Sequence, residues 1–94
     1  ESIINIVAEH YNITVDDLKS TKKSRDVSYP RQICMYLCCK MTENSQQAIG
    51  KALCRTDHTT VRHGKQKIEN DIQTDEALKN TIDILIKKIN PPKN

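Results

Sequence analysis

Apolar residues recur every three or four positions along most of this chain, a period typical of amphipathic α-helices. In the first helix Ser2 is the predicted cap and Asn12 the end, with Ile4, Val7 and Ala8 on the apolar face. The chain has two glycines and three prolines, which leaves little for the turns of a β-sandwich or barrel. The pattern therefore predicts an all-α domain.

A second, short helix is predicted to begin at Thr14, because Asp17 follows three residues later in the arrangement of a capping box. The next segment, residues 20–29, shows no helical period and carries several basic side chains. This composition predicts a basic loop between the second and third helices.

A third helix is predicted to start at Pro30, because the first helical position needs no backbone N–H. Residues 33–41 are apolar on almost every side, which is typical of a central helix surrounded by others. Arg31 and Gln32 would then lie in the first turn, where unpaired backbone N–H groups and the positive end of the helix dipole favour a phosphate.

Residues 45–72 show the pattern of a helix-turn-helix. Ser45 is the predicted cap of its first helix, the turn falls at residues 54–56, and Thr56 or Asp57 caps the second helix. One face of this second helix is apolar, with Val61, Ile68 and Ile72. The opposite face is polar and carries Thr59, Arg62, His63 and Gln66. Short polar side chains in the first turn of such a helix can reach base edges in the major groove.

Charge is unevenly distributed, although the net charge is only +3. Residues 19–31 and residues 51–67 each hold five basic residues and one acidic residue, whereas residues 69–83 hold five acids and one lysine. Two basic segments beside a central apolar helix favour an anionic partner such as nucleic acid. The acids belong largely to a last helix, predicted to start at Asp75 and to stop at Pro91, whose role is to close the core.

The cysteines predict neither a zinc site nor disulfides. They are Cys34, Cys38, Cys39 and Cys54. None has the two-residue spacing of a zinc knuckle, and no histidine pair follows at finger spacing. We expect them to pack as small apolar residues in a reducing cytoplasm.

Catalysis is not expected, and neither is a small-molecule substrate, because no nucleophile–base spacing or metalloprotease motif is present. Gly50-Lys51 is followed by Ala52, so it does not form a phosphate-binding loop. No apolar run approaches the ~18 residues of a membrane span. We expect one domain over residues 1–94, and since Glu1 takes the place of an initiator methionine, part of a longer protein.

Several segments match a known family. They are Pro30-Arg31-Gln32-Ile33, Met35-Tyr36-Leu37, Ile49-Gly50, Asp57-His58-Thr59-Thr60-Val61, His63 and Lys67-Ile68. In these segments the chain resembles the C-terminal DNA-binding domain of the DnaA family of bacterial replication initiators. The resemblance covers nearly the whole chain. It implies a compact fold of about six helices with a Trp-repressor-like helix-turn-helix that binds double-stranded DNA. A domain of this size without a dimerisation signal of its own is expected to be a monomer. The target would be the DnaA box, a site of the TTATNCACA type at the replication origin in the nucleoid. No cofactor is implied here, because the ATP-binding domain of the family is a separate one.

The resemblance also implies a division of roles. Residues expected to contact bases are Asp57, His58, Thr59 and Thr60 in the major groove and Lys23 in the minor groove. Arg25, Arg31, Gln32 and His63 match positions that hold phosphates in the family. Two further basic residues of the helix-turn-helix, Arg55 and Arg62, are expected to approach phosphates as well. The chemistry agrees, because a carboxylate accepts from cytosine N4 and threonine methyls suit thymine methyls.

The chain departs from the family pattern at three places. Thr56 takes the place of an arginine, and Cys39 that of a basic residue. In the helix-turn-helix, Cys54 and Arg55 replace the family's glycines, and Gly64 takes the place of an alanine. Two alternatives therefore stay open beside origin binding: a divergent transcriptional regulator with the same helix-turn-helix, and a module that docks a protein partner through its basic face.

Overall fold

Six α-helices make up the described part of the chain in a computed structural model, which covers residues 2–53 and 58–91, without the side chains of Ser2 and His58. They are α1 (Ser2–His10), α2 (Val15–Lys19), α3 (Arg25–Met41), α4 (Gln46–Ala52), α5 (His58–Thr74) and α6 (Glu76–Ile89). No strand occurs within these described ranges. The predicted all-α fold is confirmed.

Helix α3 is the centre of the molecule, as its apolar sequence predicts. It packs against α1, α2, α4 and α5, while α6 closes the far side against α1 and α5. Ile33 and Leu37 of α3 are completely buried, as are Ile68 of α5 and Leu85 of α6. Burying each such side chain contributes about 1.5–3 kcal/mol, so most of the stability comes from this shared core rather than from any single helix.

The predicted caps at Thr14 and Ser45 and the predicted start at Asp75 are confirmed, whereas the cap predicted at Ser2 stays a prediction because its side chain is not described. Asn12 ends the first helical segment with a φ of 55°, a left-handed conformation that asparagine tolerates. Thr14 Oγ1 accepts from the Asp17 N–H at 3.0 Å, and Asp17 Oδ2 accepts from the Thr14 N–H at 3.2 Å, which completes the capping box. Ser45 caps α4 and Asp75 caps α6 in the same manner, each accepting from a backbone N–H.

The predicted start of α3 is wrong. The helix begins at Arg25, after Ser24, so Pro30 lies inside it and the loop shrinks to residues 20–24. A proline within a helix costs about 3 kcal/mol or more, because it removes a hydrogen bond and crowds the preceding turn. Burial of Val27 and of Pro30 itself offsets that cost. Arg31 therefore lies in the second turn of α3, away from the unpaired N–H groups invoked for a phosphate.

Candidate nucleic-acid interface

Helix α5 divides into a buried face and a polar face, as its sequence predicts. Val61, Gly64 and Ile68 are buried against the core. The exposed face consists of Thr60, Arg62, His63 and Gln66, with Thr59 half-buried beside it. The connection that carries Arg55, Thr56 and Asp57 lies outside the described residues, as does the side chain of His58. The predicted turn and the cap by Thr56 or Asp57 stay predictions.

The absence of a side chain at Gly64 sets how closely α5 approaches α3. A methyl group built on Gly64 would overlap the sulfur of Met35 and lie 3.4 Å from Gln32 Cγ. The two helices are therefore in near backbone contact at this point. This close approach places the polar face of α5 beside the first half of α3.

Two adjoining clefts occur where α5 meets α3 and the α2–α3 loop. The first has a volume of about 200 Å³ and is lined by Ser28, Arg31, Gln32, Met35, Thr60, His63 and Gly64. The second has a volume of about 310 Å³ and is lined by Thr21, Lys23, Arg31 and Thr60. Thr60 and Arg31 line both clefts. The structure thus brings together five residues that the sequence predicts for DNA contact: Lys23, Arg31, Gln32, Thr60 and His63.

Arg31 is a buried cation at the back of these clefts, with 6% of its surface exposed. Its Nε donates to the carbonyl of Leu18 at 2.8 Å, its Nη1 to that of Lys22 at 2.9 Å and its Nη2 to that of Asp17 at 3.2 Å. Asp17 and Leu18 belong to the last turn of α2, where carbonyls lack partners within the helix. The guanidinium therefore joins the end of α2 and the loop to α3.

Arg25 belongs to a different part of the surface, at the start of α3. Its guanidinium lies 4.5 Å from the ring centre of Tyr29, whose hydroxyl donates to Asp71 at 3.0 Å. Burial and this hydrogen bond raise the pKa of Tyr29 to about 12. Although burial alone would raise it, the pKa of Asp71 is lowered by hydrogen bonds from Tyr29 and Lys67. Asp71 thereby holds Tyr29 in place, and the Tyr29 ring orients Arg25.

Sequence reasoning missed Ser28 and Thr21 as neighbours of the polar face. Ser28 lines the first cleft only because residues 25–29 are helical. A signal for that helix was present, since Ser24 followed by Asp26 is typical of a helix start. Pro30 outweighed it in the prediction.

Neither a metal-binding cluster nor a membrane-spanning helix is found in the part of the chain that the structure describes. Among residues 2–53 and 58–91, no group of three or more His, Cys, Asp or Glu side chains is placed to hold a metal ion. No helix in these ranges is both long enough and apolar enough to span a bilayer. Cys34 is buried, and Cys38 and Cys39 are half-buried, so these side chains contribute to the packing of α3.

Comparison with known proteins decides the family. Residues 1–68 match the family model described as "Bacterial dnaA protein helix-turn-helix". The chain belongs to the DnaA family. It is 51% identical over 89 residues to the chromosomal replication initiator protein DnaA of Lachnoclostridium phytofermentans (strain ATCC 700394 / DSM 18823 / ISDg). That match covers 95% of this chain but 20% of the relative, so the chain spans about a fifth of a DnaA protein.

A solved structure agrees with the assignment to the DnaA family. The crystal structure of a DNA replication initiation factor superposes with a TM-score of 0.84 at 34% sequence identity, over 94% of this chain and 27% of the other. The DnaA family model ends at residue 68, within α5, whereas these two matches extend over nearly the whole chain. The resemblance seen in the sequence is confirmed.

Proposed function

We propose that this domain binds double-stranded DNA sequence-specifically, at DnaA-box-type sites of a replication origin, and that it acts in the initiation of chromosome replication by binding rather than by catalysis. The observation that carries the proposal is the placement of the α5 polar face beside Lys23 and Gln32 across shared clefts. A major groove about 12 Å wide admits one helix, and a neighbouring basic loop then meets the adjacent minor groove.

Exposure supports a division of roles on this surface. Thr60 projects from the first turn of α5 and is exposed, as a base contact requires. Arg62 and His63 follow on the same helix and are exposed, and Gln32 of α3 lines the first cleft with His63. These positions suit contacts to phosphates, which fix register without specifying sequence. The proposed base contacts in the major groove also include Asp57, His58 and Thr59. The proposed phosphate contacts also include Arg25 and Arg55.

Fluorescence anisotropy tests the proposal, with this chain titrated into a labelled DnaA-box duplex and into a scrambled duplex. We expect a preference for the box of about 10³ or more. If ~5 phosphates are contacted, affinity falls several-hundred-fold between 50 and 200 mM salt. Equal, weak binding to both duplexes would favour a divergent regulator, and weak binding with a flat salt response would favour a module that docks a protein.

Two kinds of variant separate base contacts from phosphate contacts. Thr60→Ala and His58→Ala should each cost ~1–3 kcal/mol on the box and little on scrambled DNA. Arg62→Ala is the matched control on the same helix, and it should weaken binding to both duplexes equally. If Thr60→Ala and His58→Ala left every affinity unchanged, α5 would not enter the groove in the proposed register.

The asymmetric DnaA box suits a monomeric domain, and binding there would place the protein at the nucleoid. Control of this binding by ATP would require a part of the protein outside this chain.

A further inference from the structure

Arg31 is suited to a role that its sequence position does not reveal. A buried guanidinium is stable only when its donors are paired, and here three of them are directed at backbone carbonyls. The planar guanidinium group is essential to this arrangement, because only arginine presents several N–H donors in fixed directions. With 6% of its surface exposed, Arg31 also offers little area to a phosphate outside the protein.

The three acceptors lie at the end of α2 and in the loop between α2 and α3. Two belong to the end of α2, at Asp17 and Leu18, and the third is the carbonyl of Lys22 in the loop. Lys23 follows directly after that carbonyl, and its exposed side chain lines the second cleft with Thr60. Arg31 therefore defines where the loop lies relative to the recognition helix α5.

We propose that Arg31 is a positioning residue for DNA recognition: it anchors the α2–α3 loop so that Lys23 lies beside α5, and it does not itself contact DNA. This inference rests on the proposed function. A loop held in its bound position before DNA arrives loses little conformational freedom on binding, which is the general advantage of preorganisation. Without the Arg31 hydrogen bonds, ordering the loop would cost conformational entropy on binding and so weaken the affinity for DNA.

A double-mutant cycle tests the proposal. Lys22→Ala/Lys23→Ala removes the basic side chains of the loop, and Arg31→Lys keeps the charge but loses the planar fork. In the otherwise unchanged chain, we expect Arg31→Lys to weaken binding to the DnaA-box duplex about 5–50-fold, within the range for coupled neighbouring residues. In the Lys22→Ala/Lys23→Ala background the same substitution should change affinity less than about twofold. An equal loss in both backgrounds would overturn the proposal.

Salt dependence distinguishes an anchor from a phosphate contact. Arg31→Gln in the Lys22→Ala/Lys23→Ala background should leave the slope of log affinity against log salt unchanged. Loss of a direct phosphate contact would reduce that slope by about one. The matched control is Arg62→Ala in the same background, which should reduce it.

A measurement on the unaltered protein keeps the proposal testable if the Arg31 variants fail to fold. In ¹H–¹⁵N spectra the Arg31 Nε–H should exchange slowly with solvent without DNA, and its shift should hardly change when the DnaA-box duplex is added. A large shift on binding, or fast exchange in the free protein, would overturn the proposal. If the unaltered protein showed no preference for the box, the proposed function would be refuted instead. The role of Arg31 in DNA recognition would be refuted with it, whereas slow exchange of the Arg31 Nε–H would still show that Arg31 holds the loop.

Discussion

Replacing Gly64 with alanine tests how tightly α5 is seated on α3. The added methyl would overlap the Met35 sulfur, with the Cα of Gln32 at 3.6 Å, and Met35 is only 2% exposed. In a helix interior, alanine is favoured over glycine by about 1 kcal/mol. Overpacking a buried site costs about 1–3 kcal/mol. We expect the steric cost to prevail, so that the free energy of unfolding falls by about 1 kcal/mol.

Urea and thermal unfolding measure this change, and a loss of 1 kcal/mol lowers the Tm of a domain this size by about 4–8 °C. Asn70→Ala is the matched control, because Asn70 is exposed on the same helix and its replacement changes helix propensity alone. In a Met35→Ala background, which removes the obstructing sulfur, Gly64→Ala should become stabilising. If Gly64→Ala stabilised the unaltered chain as much as Asn70→Ala does, the close approach of the two helices would be refuted.

Three further predictions follow from single contacts. Ser45→Ala should lower the free energy of unfolding by about 1 kcal/mol in urea melts, because Ser45 Oγ caps the Ala48 N–H at 3.1 Å, while Ser45→Asp should retain the stability. Burial raises the pKa of Cys34, so iodoacetamide should not label it in the folded protein at neutral pH, and labelling at the rate of the unfolded chain would contradict its burial. Burial, and after it the charge of the nearby Lys88, lower the pKa of His10 below its ordinary 6.5. Because the unfolded chain therefore binds a proton at His10 more readily than the folded one, stability should fall as the pH drops below about 6.5. His10→Gln should remove that part of the pH dependence, and an unchanged profile would contradict it.

Local signals predicted most of the helices and their ends. The capping box at Thr14 and Asp17, the cap at Ser45 and the division of α5 into two faces each depend on residues within a few positions of one another. Such signals act through hydrogen bonds and side-chain spacing inside one helix, so they can be recognised without knowledge of the fold.

The start of α3 shows where local signals were insufficient. Pro30 is unfavourable within an isolated helix, but the burial of Val27 and Pro30 and the hydrogen bond from Tyr29 to Asp71 stabilise the longer helix. The same error placed Arg31 in the first turn of the helix, whereas it lies buried in the second turn. Proline does disfavour the interior of a helix, but tertiary packing outweighed this preference at Pro30.

The sequence by itself determined that the chain is helical, which face of each helix is apolar and which family it belongs to, because these properties reside in short segments. Only the tertiary structure decided which polar residues share a surface. Arg31 bonds Leu18 across 13 positions, and Tyr29 bonds Asp71 across 42. Contacts over such separations depend on how whole helices pack, and no local period or spacing records that packing.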